Sequence, residues 1–234
     1  MTAPAIPNRG MANSDLRVLV ALSAIAFSAL YVVSDVIELA AGGLTTGQLI
    51  VTYVAEASIP FYVLGLNSLQ QPRGGWPSLV GALMYSAAFV GFSATVLYPL
   101  VTGTRNADTV FNDFGVIYGI HAGLAFVGGL LFGASVLRAR VFPRWTAFAL
   151  IAGLLVTAIL AGLGLPEGVQ TVGTAVRSIA FAGMGAALLF VGRDRIRLVR
   201  RAGERGAGGT LSTVSPTMSR TARIRDASAH LERP

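Results

Sequence analysis

Residues 16–41, "LRVLVALSAIAFSALYVVSDVIELAA", decide what kind of protein this is. Apolar residues dominate the stretch up to its last two turns, and it is long enough to cross the roughly 30 Å hydrocarbon core of a bilayer, which takes about 20 helical residues. A helix is required, because a segment in lipid must satisfy its own backbone hydrogen bonds. Five runs of the same kind follow. The reading is an all-α, six-helix transmembrane bundle with spans at 16–41, 46–69, 76–100, 109–137, 143–165 and 168–191. Composition agrees: 53% of the 234 residues are hydrophobic and only 12% charged, a balance that departs from soluble domains. The first run is too long for a cleaved signal peptide, ends in acidic residues and is followed by no clean small-x-small cleavage site, so it reads as a retained helix.

Arginine placement orients the bundle. Arg9 and Arg17 stand at the start of the first span, Arg73 between the second and third, and Arg138, Arg140 and Arg144 between the fourth and fifth, whereas the opposite loops carry Arg105. By the excess of positive charge on cytoplasmic loops, both termini are expected in the cytoplasm, with the chain in the inner (plasma) membrane. Trp76 and Trp145 each open a span on that side, as interfacial aromatics do.

The net charge of +7 belongs mostly to the tail. From Arg193 onward, ten arginines face Asp194, Glu204, Asp226 and Glu232, a net of +6. "GRDRIRLVRRAGERGAGG" abuts the last span, where arginines are attracted to anionic lipid head groups; a nucleic-acid site is the weaker reading. Beyond it the chain is rich in Ser, Thr, Arg and Gly without apolar period, so residues 193–234 read as a basic, mostly disordered tail, and 1–15 as a disordered N-terminal segment. Residues 16–192 form the membrane domain.

What is missing narrows the chemistry. There is no cysteine, which removes disulfides, thiol catalysis, iron–sulfur ligation and sulfur-bound zinc. All 18 basic residues are arginine, so no lysine can form a retinal or pyridoxal Schiff base. Of two histidines, His230 lies in the tail, which excludes a bis-histidine haem inside the bundle and argues against a histidine-rich metal centre. No cofactor and no metal are expected. The all-arginine basic set and the Ala, Gly and Val richness look like a chain from a GC-rich bacterial genome, and the six-span plan resembles small bacterial membrane proteins.

Within the spans stand Asp35 and Glu38 on the first, Glu56 on the second, Asp113 and His121 on the fourth and Arg177 on the sixth. Ionisable groups at membrane depth cost at least about 2.5 kcal/mol each on insertion scales, so they normally face a bundle interior and pair. Helical phase gathers them into stripes. Ser28, Tyr31, Asp35 and Glu38 share one face; so do Tyr53, Glu56, Pro60 and Asn67, and so do Gln170, Thr174, Arg177 and Ser178. Pro60 has no N–H for the carbonyl of Glu56, which places an acid beside a freed acceptor. Gly115, Gly119 and Gly123, with Gly128, Gly129 and Gly133 beyond, predict close helix packing along the fourth span.

Plainer readings stand beside these. Asp35 and Glu38 can mark the water interface, Asp113 can favour a helix N-terminus, His121 can be a neutral ring bonded to a carbonyl, and Glu56 with Arg177 can be a structural ion pair. Three functions follow. In the first, a polar pocket in the outer half of the bilayer binds or transports a small amphipathic or lipid-like molecule, with Arg177, Asp113, Tyr53 and Thr174 as ligand contacts. In the second, an intramembrane acid–base enzyme of cyclase or isomerase type uses Glu56, His121, Asp35 and Glu38 as catalytic groups. The third is a structural or accessory membrane protein. The expected partners are membrane lipids and a hydrophobic or amphipathic small molecule, not nucleic acid; a homo-oligomer stays open.

Overall fold

A computed structural model describes residues 9–163 and 171–190. They form α1 (Arg9–Ala41), α2 (Thr46–Gln70), α3 (Gly75–Thr102), α4 (Ala107–Ala139), α5 (Arg144–Gly162) and α6 (Thr171–Phe190). Each of these six contains a stretch long and apolar enough to cross a membrane. The described helix ends fall close to the expected positions, except that α1 begins at Arg9, seven residues ahead of residue 16, and α5 ends at Gly162, ahead of residue 165. Gln170 and the tail lie outside the described residues.

Local signals set the breaks. Thr45 caps α2, its side chain accepting from the Gln48 N–H at 3.2 Å. Gly103, at φ 73°, ends α3 in the left-handed conformation and donates its N–H to the Pro99 carbonyl. Pro60 sits inside an unbroken α2.

Facing partners show that successive helices run antiparallel. Stepping forward along α3, Gly81 lies against Phe132, Tyr85 against Gly128, Gly91 against His121 and Tyr98 against Asp113, so α4 steps backward. The same holds for α4 and α5, where Gly129 faces Leu154 and Gly133 faces Ile151, and for α5 and α6, where Gly153 faces Arg177 and Gly183 faces Trp145. A Cβ on Gly185 of α6 would stand 2.6 Å from the Ala21 carbonyl oxygen, so α6 returns to α1 and closes the ring.

The outside of this ring is apolar. Leu19, Leu22, Phe61, Leu83, Val90, Phe148 and Ile179, drawn from five helices, all expose at least half of their surface. Water does not tolerate such a continuous apolar belt, whereas lipid does. The chain is thus built as a multi-pass membrane helical bundle. Arg17, Arg73, Arg138, Arg140 and Arg144 gather at one end, termed here the arginine-rich end; Asp35, Glu38 and Asp113 gather toward the other, the acidic end. Trp76 and Trp145 are exposed at the arginine-rich end.

One packing expectation is corrected. Gly128, Gly129 and Gly133 do admit close neighbours, a Cβ on Gly128 standing 2.6 Å from the Tyr85 backbone nitrogen. Gly115, Gly119 and Gly123 face open space instead. In the acidic half α4 leans on α3, and the face that meets α5 lower down is uncovered there, with Ala122 exposed among these glycines. Small residues allow helices to approach but do not compel it.

Candidate functional site

The middle of the ring is filled by rings from four helices. Phe181 of α6 lies 5.4 Å from Tyr62, 5.6 Å from Tyr85 and 6.4 Å from Phe132, and Tyr85 continues to Phe89 at 4.9 Å. These side chains are all but fully buried. The tilted and edge-on pairs among them suit the aromatic quadrupole and add about 0.5–1.5 kcal/mol each beyond area burial.

Arg177 lies on this aromatic floor, one helical turn before Phe181. Its guanidinium carbon is 5.3 Å from the Phe89 ring centre and 5.8 Å from that of Tyr31, within the range of cation–π attraction. Tyr31 then reaches across to α2, donating its hydroxyl to Glu56 Oε1 at 3.2 Å. Charge on α6 and charge on α2 are therefore linked through a tyrosine of α1. Both charged residues are buried, Arg177 at 8% exposure and Glu56 at 5%. The second carboxyl oxygen of Glu56 is buried with no hydrogen-bond partner, and so is the Tyr85 hydroxyl. Asp35, half-buried one turn beyond Tyr31, is within electrostatic reach of Arg177 and Glu56.

The remaining predicted residues divide. Glu38 joins a separate α1–α2 network: it accepts from Gln48 Nε2 at 3.0 Å, and the same amide donates to Thr52 and Ser34. Asp113 is exposed and accepts from the Tyr98 hydroxyl at 2.7 Å, a contact between α3 and α4 near the acidic end. His121 packs edge-on against Phe92 at 5.7 Å, on the backbone of Gly91, and its Nδ1 is buried without a partner. Phe92 in turn touches Phe89, so an aromatic path runs from His121 to the ring under Arg177. Tyr53 and Thr174 are half-buried. Glu56, Tyr31 and Arg177 are thus brought together, while Glu38 and Asp113 serve neighbouring seams.

Phe89 and Phe181 carry no polar signal in the sequence and could not be singled out inside apolar runs; their burial at helical spacing from Tyr85 and Arg177 is what places them. A further polar clamp lies at the arginine-rich end, where Ser78 donates to Asn67 Oδ1 at 2.6 Å and Gln70 bonds the same hydroxyl. Among the described residues no three His, Asp or Glu side chains gather as a metal ion would require. A cavity of about 240 Å³ lies at the arginine-rich end, lined by Arg17, Leu69, Val141, Phe142, Ala187 and Leu188. That is roughly 20 Å along α2 from Glu56, at about 1.5 Å rise per residue.

No family model, curated protein or solved structure matches this chain.

Proposed function

We propose that this protein binds or transports a small amphipathic molecule within the membrane, using Glu56, Tyr31 and Arg177 as the polar recognition site. The observation that carries the reading is the buried, unpartnered Oε2 of Glu56 beside a buried arginine held by ring faces. A lipid-embedded bundle has no need of either charge, and each costs free energy to insert. Arg177 is suited to an anionic head group, since guanidinium presents a fork of donors to carboxylate or phosphate. Glu56 adds a group that can accept or, once protonated, donate a hydrogen bond to the same ligand. The uncovered face of α4 at Gly115, Gly119 and Ala122 supports entry sideways from lipid, which favours a lipid-like ligand over an ion.

With the arginine-rich end in the cytoplasm the site falls in the outer half of the bilayer. The absence of native cysteine makes this directly testable. Thr104→Cys should react with an impermeant maleimide added to intact cells, and Arg138→Cys should react only after lysis; the reverse pattern inverts the topology.

The function itself is tested by untargeted mass spectrometry of cells and medium from strains expressing wild type, Glu56→Gln or no protein at matched membrane levels. Redistribution of an unchanged compound, lost in Glu56→Gln, is expected. A compound of altered mass made only by the wild type would establish the enzyme reading instead. A second reading, an internal lock, draws on the placement of Arg177 across rings of α1 and α3. It requires that Glu56→Gln lower the amount of folded protein and shift no compound.

A further inference from the structure

The cavity at the arginine-rich end is chemically unlike the Glu56 site. Of its described lining residues five are apolar, Leu69 from α2, Val141 and Phe142 from the α4–α5 connection, and Ala187 and Leu188 from α6. The sixth is Arg17 of α1, half-buried, whose Nε is buried with no hydrogen-bond partner. A guanidinium N–H withdrawn from water and left unbonded is costly, and the shortfall is met by an acceptor, best of all a charged one. No acidic side chain is among the described lining residues.

We infer that this cavity is a binding site for an anionic phospholipid of the bilayer, its phosphate accepting from Arg17 and its first chain methylenes lying against Leu69, Phe142 and Leu188. Size points the same way. At about 240 Å³ the cavity is smaller than the roughly 300–1,000 Å³ that encloses a drug-sized ligand. It therefore takes one part of a larger amphiphile whose remainder stays in the membrane. Its position fits, since the start of α1, the end of α2 and the end of α6 meet here at the level where head groups lie. Other described arginines at this end, such as Arg73 and Arg144, are exposed and form a general basic surface; among the described arginines Arg17 is the one set into an apolar wall.

The test is native mass spectrometry of the full-length protein in detergent, titrated with dioleoyl phosphatidylglycerol, dioleoyl phosphatidylcholine of the same chains, or inorganic phosphate. Wild type should retain the anionic lipid over the zwitterionic one by on the order of tenfold, the weight of one hydrogen bond to a charged group. Arg17→Gln should lose that preference, and Arg144→Gln should keep it. Val141→Trp, which fills the cavity and leaves the arginine in place, should also lose retention, and it keeps the inference testable if Arg17→Gln fails to fold. Equal retention of the two lipids, or a preference unchanged in both Arg17→Gln and Val141→Trp, would overturn the proposal in favour of a diffuse basic surface. Displacement of the lipid by inorganic phosphate alone would overturn the lipid assignment and leave a free-anion site.

Discussion

Along α4, Gly128, Gly129 and Gly133 hold neighbouring chains at backbone distance, whereas Gly115, Gly119 and Gly123, nearer the acidic end, face open space. The two halves of the bundle follow that division. Toward the arginine-rich end, glycine contacts and the Asn67–Ser78–Gln70 clamp draw α2, α3 and α4 together with neutral groups. Toward the acidic end α4 meets α3, and the interior there holds Glu56, with a buried carboxyl oxygen that makes no hydrogen bond. A neutral side-chain pair costs little to bury once its hydrogen bonds are made, so it suits close packing; a buried charge needs a partner that can be protein or ligand. The arginine-rich half reads as a close-packed scaffold whose one ligand sits at its rim, and the acidic half as the place for the ligand of Glu56.

Arg177, at the boundary between the halves, should give the largest effect when removed. Arg177→Met removes a buried cation that lies against the Tyr31 and Phe89 rings and within electrostatic reach of Glu56; a buried charge stripped of its compensation costs up to about 3–5 kcal/mol. Thermal unfolding in detergent should show a strongly lowered midpoint. The double variant Glu56→Gln with Arg177→Met should recover most of the loss, because no charge is left stranded. If the double variant is no better than Arg177→Met, the arginine matters through its ring contacts with Tyr31 and Phe89 and not through Glu56.

The second effect sharpens the packing side of the comparison. Gly128→Val puts a branched side chain where a Cβ already stands 2.6 Å from the Tyr85 backbone nitrogen, and backbone cannot step aside as a flexible side chain can. Overpacking of this kind costs about 1–3 kcal/mol, read again as a lowered unfolding midpoint. A smaller loss, still about 1–3 kcal/mol at most for a buried partner left unbonded, is expected for Ser78→Ala, which removes the hydroxyl shared by Asn67 and Gln70. Since the clamp is neutral, that loss should be insensitive to salt, and a salt-dependent one would count against the contrast drawn between the halves.

The membrane architecture was legible because lipid enforces length and apolarity residue by residue, and the spans could be read from those two properties alone. Glu56 and Arg177 were legible as interior groups, since charge in such a setting stands out, but that Tyr31 stands between them, bonded to the acid and lying against the guanidinium, was not. Other parts were not. The aromatic floor under Arg177 is made of Phe89 and Phe181, apolar residues in apolar helices, and only three-dimensional packing separates them from the lipid-facing Phe61 and Phe148. Ser34, Gln48 and Thr52 sit near helix ends, where polar residues look like ordinary interface and not like a network around Glu38. The glycine spacing misled because it states what a surface permits, while the divergence of α4 from α5 decides what meets it.

That divergence supplies the smallest expected effect and the cleanest contrast. Gly119 and Gly128 lie on the same helix, yet a Cβ on Gly119 meets nothing within 4 Å. Alanine there adds no clash and removes the conformational freedom that glycine gives the unfolded chain, so Gly119→Ala should raise stability by about 0.5–1 kcal/mol. Midpoint and apparent mass should be measured together, because the open stripe is also where a second copy of the chain would pack if one did. A higher midpoint at unchanged mass means the face is open to lipid, as sideways entry of a ligand requires. A lower midpoint with a smaller particle means the stripe is a contact between copies, and sideways entry across this face is then blocked by protein.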